Sequence, residues 1–363
     1  ASSGPYDRAM TAPLTPAFTP QDPINQLAEA SVELAMLADR SATDGPWASG
    51  AMHLLASRGV LAAFVPADCG GTAANERALL DILTAIASTC LTTALAVSQW
   101  AAAVRIIATA TPDIRTTLLP PLARGELFTT VGTSQLTTSR QHLGRPALLA
   151  ARDGDGWRLD GLCPWVTGAD ACHTLVTGAA TADGGQAFFV VRTDASGILI
   201  DPPLELLALS GTRTSVVHFA GVRPAYLIMP PERTLARTGG LATTALALGA
   251  ARAAIRVVAG EANRRDVLAP VAAGLAAELA SLLDRLGRAA REGIEPDDRD
   301  VLRGDANALV LRTGQAALTA SKGAGFVRGH PAERLVRESL FFMVWSCPQA
   351  VSSALLCELA GLG

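Results

Sequence analysis

Apolar residues recur with helical spacing through the first third of the chain. An extended lead-in carries Pro13, Pro16, Pro20 and Pro23, and from about Ile24 the residues Leu27, Val32, Leu34 and Leu37 set the period. Trp47 to Arg58 predicts a second helix that ends at Gly59, a residue that tolerates left-handed backbone. Asn75 is placed to cap a long helix through Leu79, Leu83 and Ile86, Leu91 to Ile107 gives another, and Pro120-Pro121 with Gly125 marks the exit. From Leu127 the pattern changes to short runs rich in Val, Thr and Phe, broken at Asp153-Gly154-Asp155-Gly156, Asp160-Gly161 and Asp183-Gly184-Gly185. Such spacing predicts an antiparallel β-domain of about a hundred residues, with strands at Gln186 to Arg192 and Val216 to Phe219. From about Arg233 the helical period returns over Leu241 to Ala262, Leu268 to Arg291 and Asp300 to Lys322, with a fourth helix beginning over Ala332 to Met343. Ala and Leu cover most faces of these helices, which predicts close helix approach in a bundle and a subunit interface. The chain thus divides into a lead-in over 1–23, a helical domain over 24–126, a β-domain over 127–232 and a helical bundle over 233–363, an α+β arrangement.

Composition narrows the classes. With 363 residues, two or three domains are expected, and 49% hydrophobic against 17% charged residues requires much helical surface to be covered. A net charge of −3 and a pI near 6.0 leave no electrostatic footprint for nucleic acid. Cys69, Cys90, Cys163, Cys172, Cys347 and Cys357 form no CxxC pair and have no His at zinc spacing, so no metal site is expected and the thiols suit a reducing cytoplasm. Leu241 to Val258 is apolar enough to raise the question of a membrane span, but Arg252 and Arg256 interrupt it in a way that suits a buried bundle helix. The start shows no signal-peptide pattern, and residues 1–9, ahead of Met10, read as a candidate tag remnant.

The stretch Trp157 to Ala179 concentrates the candidate chemistry. It reads as two strands joined through Asp160-Gly161, with Trp165-Val166-Thr167 between them and Thr174 to Gly178 resuming an apolar run. An indole can cover one face of a flat redox cofactor while a hydroxyl two residues on points to the same side of a strand; a core Trp beside a turn Thr is the alternative.

Here the chain resembles the acyl-CoA dehydrogenase superfamily. Leu159-Asp160-Gly161-Leu162-Cys163-Pro164-Trp165-Val166-Thr167-Gly168 is similar to that family's LNGxKxWITN segment, Val65 to Gly71 to its PxxxGG turn, and Leu119 to Glu126 to its LPxLxxGE loop. Leu209 to Ser215 and Val222-Arg223-Pro224 resemble the strand pair that closes the β-domain. Lys322-Gly323-Ala324-Gly325-Phe326, Glu333-Arg334 and Arg337-Glu338 resemble the final glycine-rich turn and helix. Six matches in the same order cover nearly the whole chain and imply an acyl-CoA dehydrogenase-like fold: an N-terminal helical domain, a middle antiparallel β-domain and a C-terminal four-helix bundle.

The resemblance also implies bound FAD, with Trp165 at the stacking position and Thr167 at the position that bonds the reactive flavin nitrogen. Thr133 to Arg140 corresponds to the TEPxxGSD segment: Ser134 keeps a hydroxyl, while Arg140 stands where a Ser meets pyrophosphate and substrate, and either pairs with phosphate or is a solvated loop residue. Arg264 or Arg265 takes the place of an Arg that reaches the adenine half across subunits, with Lys322 and Gly323 in the turn beside it; a charged helix end is the alternative. Ser346 falls where most dehydrogenases of this fold carry the catalytic Glu, and Gly239 falls at the alternative Glu position. A serine near neutral pH cannot abstract a carbon-bound α-proton. Glu338, Glu232 and His142 are weaker candidates, Glu338 lying roughly 12 Å from Ser346 along a continuous helix.

Three functions follow from the resemblance. One is an FAD-dependent oxidoreductase acting on an acyl thioester or related acyl substrate, its base supplied elsewhere, as in a heteromeric pair with a sister subunit. Another is a flavin monooxygenase that hydroxylates carbon or nitrogen. The third is a non-catalytic scaffold subunit. Relatives are commonly tetramers built through the C-terminal bundle, so a homo-oligomer or hetero-oligomer is expected.

Overall fold

The computed structural model describes residues 23–41, 49–72, 74–137, 146–229, 240–345, 347 and 349–361. Helices α1 (Pro23–Glu29), α2 (Ser31–Ser41) and α3 (Ser49–Ser57) lead through short 3₁₀ turns to α4 (Glu76–Ala87), α5 (Leu91–Ile107) and α6 (Pro112–Ala123). Asn75 caps α4, its Oδ1 accepting from the Ala78 amide at 2.9 Å. Pro120 and Pro121 lie inside α6, not beyond it. Burial of Leu118, Leu119 and Leu122 outweighs the ladder bonds that the two prolines remove.

Strands β1 (Thr129–Gly132), β2 (Leu148–Asp153), β3 (Gly156–Val166), β4 (Thr174–Thr181), β5 (Gln186–Arg192), β6 (Ile198–Ile200), β7 (Ser215–Val222) and β8 (Tyr226–Ile228) form one sheet, with the four-residue helix α7 (Ser134–Thr137) after β1. The strand order is β6-β7-β3-β2-β4-β5-β8, and β1 also pairs with β4. The sheet is mixed, which corrects the antiparallel expectation: β1 runs parallel to β4 from Thr129↔Thr174 to Gly132↔Thr177, and β2 joins the same edge of β4 in parallel at Leu149↔Ala180. Both faces of β5 are buried in alternation. Phe188 and Val190 enter the core shared with the helices, whereas Phe189 and Val191 enter a second core with Leu159, Val166 and Phe219.

Asp160-Gly161 is not a turn. β3 runs through it unbroken, with a register shift against β7 between Leu159 and Gly161. Gly161 holds φ 131, and a Cβ there would stand 2.2 Å from the Ala147 carbonyl oxygen, so the glycine makes a bulge where β2 approaches.

The bundle consists of α8 (Leu241–Ala262), α9 (Ala269–Glu292), α10 (Pro296–Gly325), α11 (Pro331–Leu340) and α12 (Gln349–Leu359). α8 contributes Leu246, Leu248 and Ile255 to the core that also holds Leu80 and Ile82 of α4. α10 is kinked at Lys322, and α11 gives way to a 3₁₀ turn at Phe341–Met343, so no continuous helix joins Glu338 to position 346. Among the described residues, two helical stretches have the length and hydropathy of a membrane span. In α8 the apolar window is 67% buried, as a core helix requires, but over Asp266–Glu292 it is only 11% buried.

Candidate functional site

The end of β3 builds the site. Cys163, Pro164 and Val166 are buried, while Trp165 between them is 51% exposed and presents its indole outward. β3 ends at Val166, so Thr167 leaves the strand alternation and is buried at 7% exposure. Its Oγ1 lies 3.4 Å from Thr214 Oγ1, which in turn lies 2.9 Å from Thr212 Oγ1. The Gly168 amide donates to the Thr212 carbonyl at 2.9 Å. Arg213 Nε donates to both carboxylate oxygens of Asp170, at 3.1 and 2.9 Å, and this pairing raises the guanidinium pKa further. The turn over 209–214 is therefore fastened to the residues that follow Trp165.

Ser134 lies below the same strand, its hydroxyl in hydrogen-bonding contact with the Cys163 thiol. Burial pushes that thiol up to about 12 and keeps it protonated. Its Sγ donates to Gln135 Oε1 at 3.0 Å, and Gln135 Nε2 donates to the carbonyls of Gly178 at 2.7 Å and Gly132 at 3.2 Å. Ser134, Trp165 and Thr167 thus share the β3 end, with Gln135 as the pin that ties α7 to β1, β3 and β4.

Arg264, Lys322 and Gly323 belong to another neighbourhood. Arg264 has a side chain 77% exposed and pairs with Glu261 at 3.3 Å. Arg265 pairs with Glu261 at 2.9 Å and also donates to the carbonyl of Ala320, two residues before Lys322. Of the two adjacent arginines, Arg265 is the one joined to the glycine-rich turn, and Arg264 points to solvent. Arg140, His142, Glu232, Gly239 and Ser346 lie outside the described residues.

The chain just before position 346 is held from α10. Arg303 Nη2 donates to the Trp345 carbonyl at 3.2 Å, and Asn307 Nδ2 donates to that of Phe342 at 3.0 Å. Burial lowers the Arg303 guanidinium to about 10. A cleft of about 480 Å³ opens beside them between α10 and α12, bordered by Asp300, Asn307, Val351 and Leu355, and among the described residues none of those expected in the site lines it. On α11, burial raises Glu338 to about 7, against the opposing pull of Arg334 at 3.9 Å.

Gln135, Thr212, Arg213 and Thr214 were not singled out by sequence as parts of the site. The run Thr212-Arg213-Thr214-Ser215 was visible only as a strand-closing motif, and the hydroxyl density within it was the available signal.

A mixed sheet with helices before and after it in the chain, one of its faces packed on those helices, is the fold shared with solved acyl-CoA dehydrogenases. Glutaryl-coenzyme A dehydrogenase in its glutaryl-CoA complex superposes with a TM-score of 0.80 at 17% identity, covering 96% of this chain and 98% of that one. Butyryl-CoA dehydrogenase from Megasphaera elsdenii gives 0.79 at 16% identity over 93% and 99% of the two chains. FMN-bound TdsC from Paenibacillus sp. A11-2 gives 0.77 at 17% identity over 92% and 96%. Residues 21–126 match the family model of the acyl-CoA dehydrogenase N-terminal domain, while no curated protein matches by sequence. The chain as a whole therefore has the acyl-CoA dehydrogenase fold, and its residues 21–126 are similar to the N-terminal domain of that family.

Proposed function

We propose that the protein is a flavin-dependent oxidoreductase acting on an acyl thioester or a related acyl substrate, with FAD as the flavin. The observation that carries this reading is the half-exposed Trp165 at the end of β3 with the buried Thr167 hydroxyl beside it. An indole that is solvent-facing between buried neighbours suits one face of a planar ring, and the Thr167 and Thr214 hydroxyls are the hydrogen-bonding groups nearest its edge. The residues present fit a flavin. Trp165 would stack on it, Thr167 would bond its edge, Ser134 would lie near the other side of the loop, and Arg264, Lys322 and Gly323 would serve the adenine half of a neighbouring copy.

A bound flavin supplies two-electron oxidation, and the protein's part is to orient the ring, exclude water and remove the substrate proton. Ser346 is unsuited to the last task, so the base comes from elsewhere, with a sister subunit as one source. A second reading, a flavin monooxygenase, is favoured by that same serine, because hydroxylation by such an enzyme does not require the carboxylate. FMN-bound TdsC and KijD3 in complex with FMN share the fold, the latter with a TM-score of 0.73.

The test is the absorption spectrum of the purified protein with added FAD, followed by anaerobic titration with a panel of acyl-CoA thioesters. Flavin that bleaches with one thioester is the expected result. Flavin that binds without bleaching and consumes O₂ with a reductase selects the monooxygenase. Protein that takes up no flavin, alone or with a co-purified sister chain, removes both readings and leaves the scaffold.

A further inference from the structure

We propose that Arg337 is the positioning residue for Thr167: from α11 it struts the turn over 206–214, and through that turn it fixes the hydroxyl at the edge of the cofactor site. The functional side of this inference rests on the flavin reading above; the strut itself does not. Glu333 and Arg337 stand one helical turn apart on α11 and form a close ion pair, with Nη2 to Oε2 at 3.2 Å. Arg337 beside it holds the Glu333 carboxyl below its ordinary value, so the pair stays charged at neutral pH. With the guanidinium fixed by Glu333, Nη1 crosses to the sheet layer and donates to the Leu207 carbonyl at 2.9 Å.

Leu207 opens a turn that is costly to hold. Leu209 sits at φ 66 and Arg213 at φ 48, two non-glycine residues in left-handed backbone within five positions. Such conformations cost on the order of 1–3 kcal/mol each and persist where the surroundings over-determine them. Inside the turn the Ser210 hydroxyl bridges the Leu206 amide at 3.3 Å and the Leu206 carbonyl at 3.2 Å, and the Thr212 amide donates to Leu209 at 2.9 Å. Its far end carries the Thr212 carbonyl that receives the Gly168 amide, the Thr214 hydroxyl that meets Thr167 and is itself met by the Thr212 hydroxyl, and the Arg213–Asp170 pair. The Thr167 to Thr214 contact is long at 3.4 Å, whereas the Arg337 bond comes from a charged donor, the stronger type. Releasing Arg337 frees the strained turn at its N-terminal end, and the displacement reaches Thr167 through three fastenings.

The test begins without flavin. Hydrogen exchange of peptides spanning 166–172 and 204–215 is compared between the wild type, Arg337→Met, Arg337→Lys and Glu333→Gln, with Arg312→Met as a control that removes an exposed ion pair elsewhere on α10. Arg337→Met should speed exchange in both peptides at least tenfold, Glu333→Gln less, and Arg337→Lys should restore part of the protection; the control should leave both unchanged. Glu333→Gln keeps the comparison available if Arg337→Met fails to fold. Unchanged exchange in folded Arg337→Met or, in its place, Glu333→Gln overturns the strut whatever the flavin does. In the flavin-loaded protein the same variants should shift the visible flavin spectrum and midpoint potential, with partial return in Arg337→Lys. Faster exchange in a protein that takes up no flavin would keep the strut and discard the cofactor reading.

Discussion

Lys322 holds φ 55 and ψ −148 inside α10, in a region of backbone space that is nearly glycine's own, and its side chain is exposed. Among the described residues, nothing packed on that side chain offsets the strain. Lys322→Gly is therefore expected to stabilise the protein by about 1 kcal/mol, the relief of strain exceeding the extra chain entropy of glycine, and a urea midpoint that falls instead of rising would sink the idea. Glu338 makes the opposite kind of demand. Unfolded, its carboxyl ionises near 4.5; folded, burial moves it to about 7. Between those values the folded state keeps a proton that the unfolded state has lost, so stability falls as pH rises through the window and is flat above it. Glu338→Gln should remove that slope and raise stability at pH 8 by a few kcal/mol relative to wild type, measured by denaturant unfolding at pH 5 and pH 8.

At the scale of elements, uninterrupted apolar periods were legible: α5 and α8 begin and end where the spacing says, as does β5. Asp160-Gly161 was misread because a bulge and a turn ask for the same residue types, and only the approach of Ala147 from β2 tells them apart. The parallel pairing of β1 and β2 with β4 left no local trace, since a strand's partner is set by distant segments. The same limit applies to the site. Trp165 and Thr167 stand in a recognisable segment, whereas Gln135 and Arg337 act through atoms far away in sequence. Gln135 shows what such a residue requires: its amide faces the Gly132 and Gly178 carbonyls, so a carboxylate there would set oxygen against oxygen in a buried place. Gln135→Glu should cost about 2 kcal/mol at pH 7 and recover part of it on acidification, when a protonated acid can donate again. A pH-independent loss would mean that volume, not hydrogen bonding, governs the position. Gly161→Ala should be worse, since its methyl would meet the Ala147 carbonyl at 2.2 Å and force the register of β3 to move.

For the whole molecule, the bundle's outer surface poses the question that its core does not. α8 and the stretch Asp266–Glu292 are both apolar enough to cross a membrane, but the first is covered by its own chain and the second is not. Val267, in the 3₁₀ turn that leads into α9, is 79% exposed and Val271 of α9 46%, while Arg285 of α9 pairs with Asp305 of α10 and Arg312 of α10 with Glu278 of α9. Apolar helical surface bordered by ion pairs is the make-up of an interface between folded subunits, and a lipid-facing helix would not carry charged pairs at its flanks in this way. We expect α9 to be covered by a second copy of the chain. Light scattering should give a dimer or larger assembly for the wild type, and Val267→Glu with Val271→Glu should shift it toward monomer. Both side chains already face solvent in the single chain, so circular dichroism and the urea midpoint should change little, within about 1 kcal/mol. A wild-type monomer would leave α9 to a different partner chain and turn attention to the sister subunit. An assembly that survives both substitutions would place the contact on another face of the bundle. If the double variant is monomeric and also loses flavin, the adenine half is held across the interface, which is where Arg264 and the Lys322 turn would then be at work.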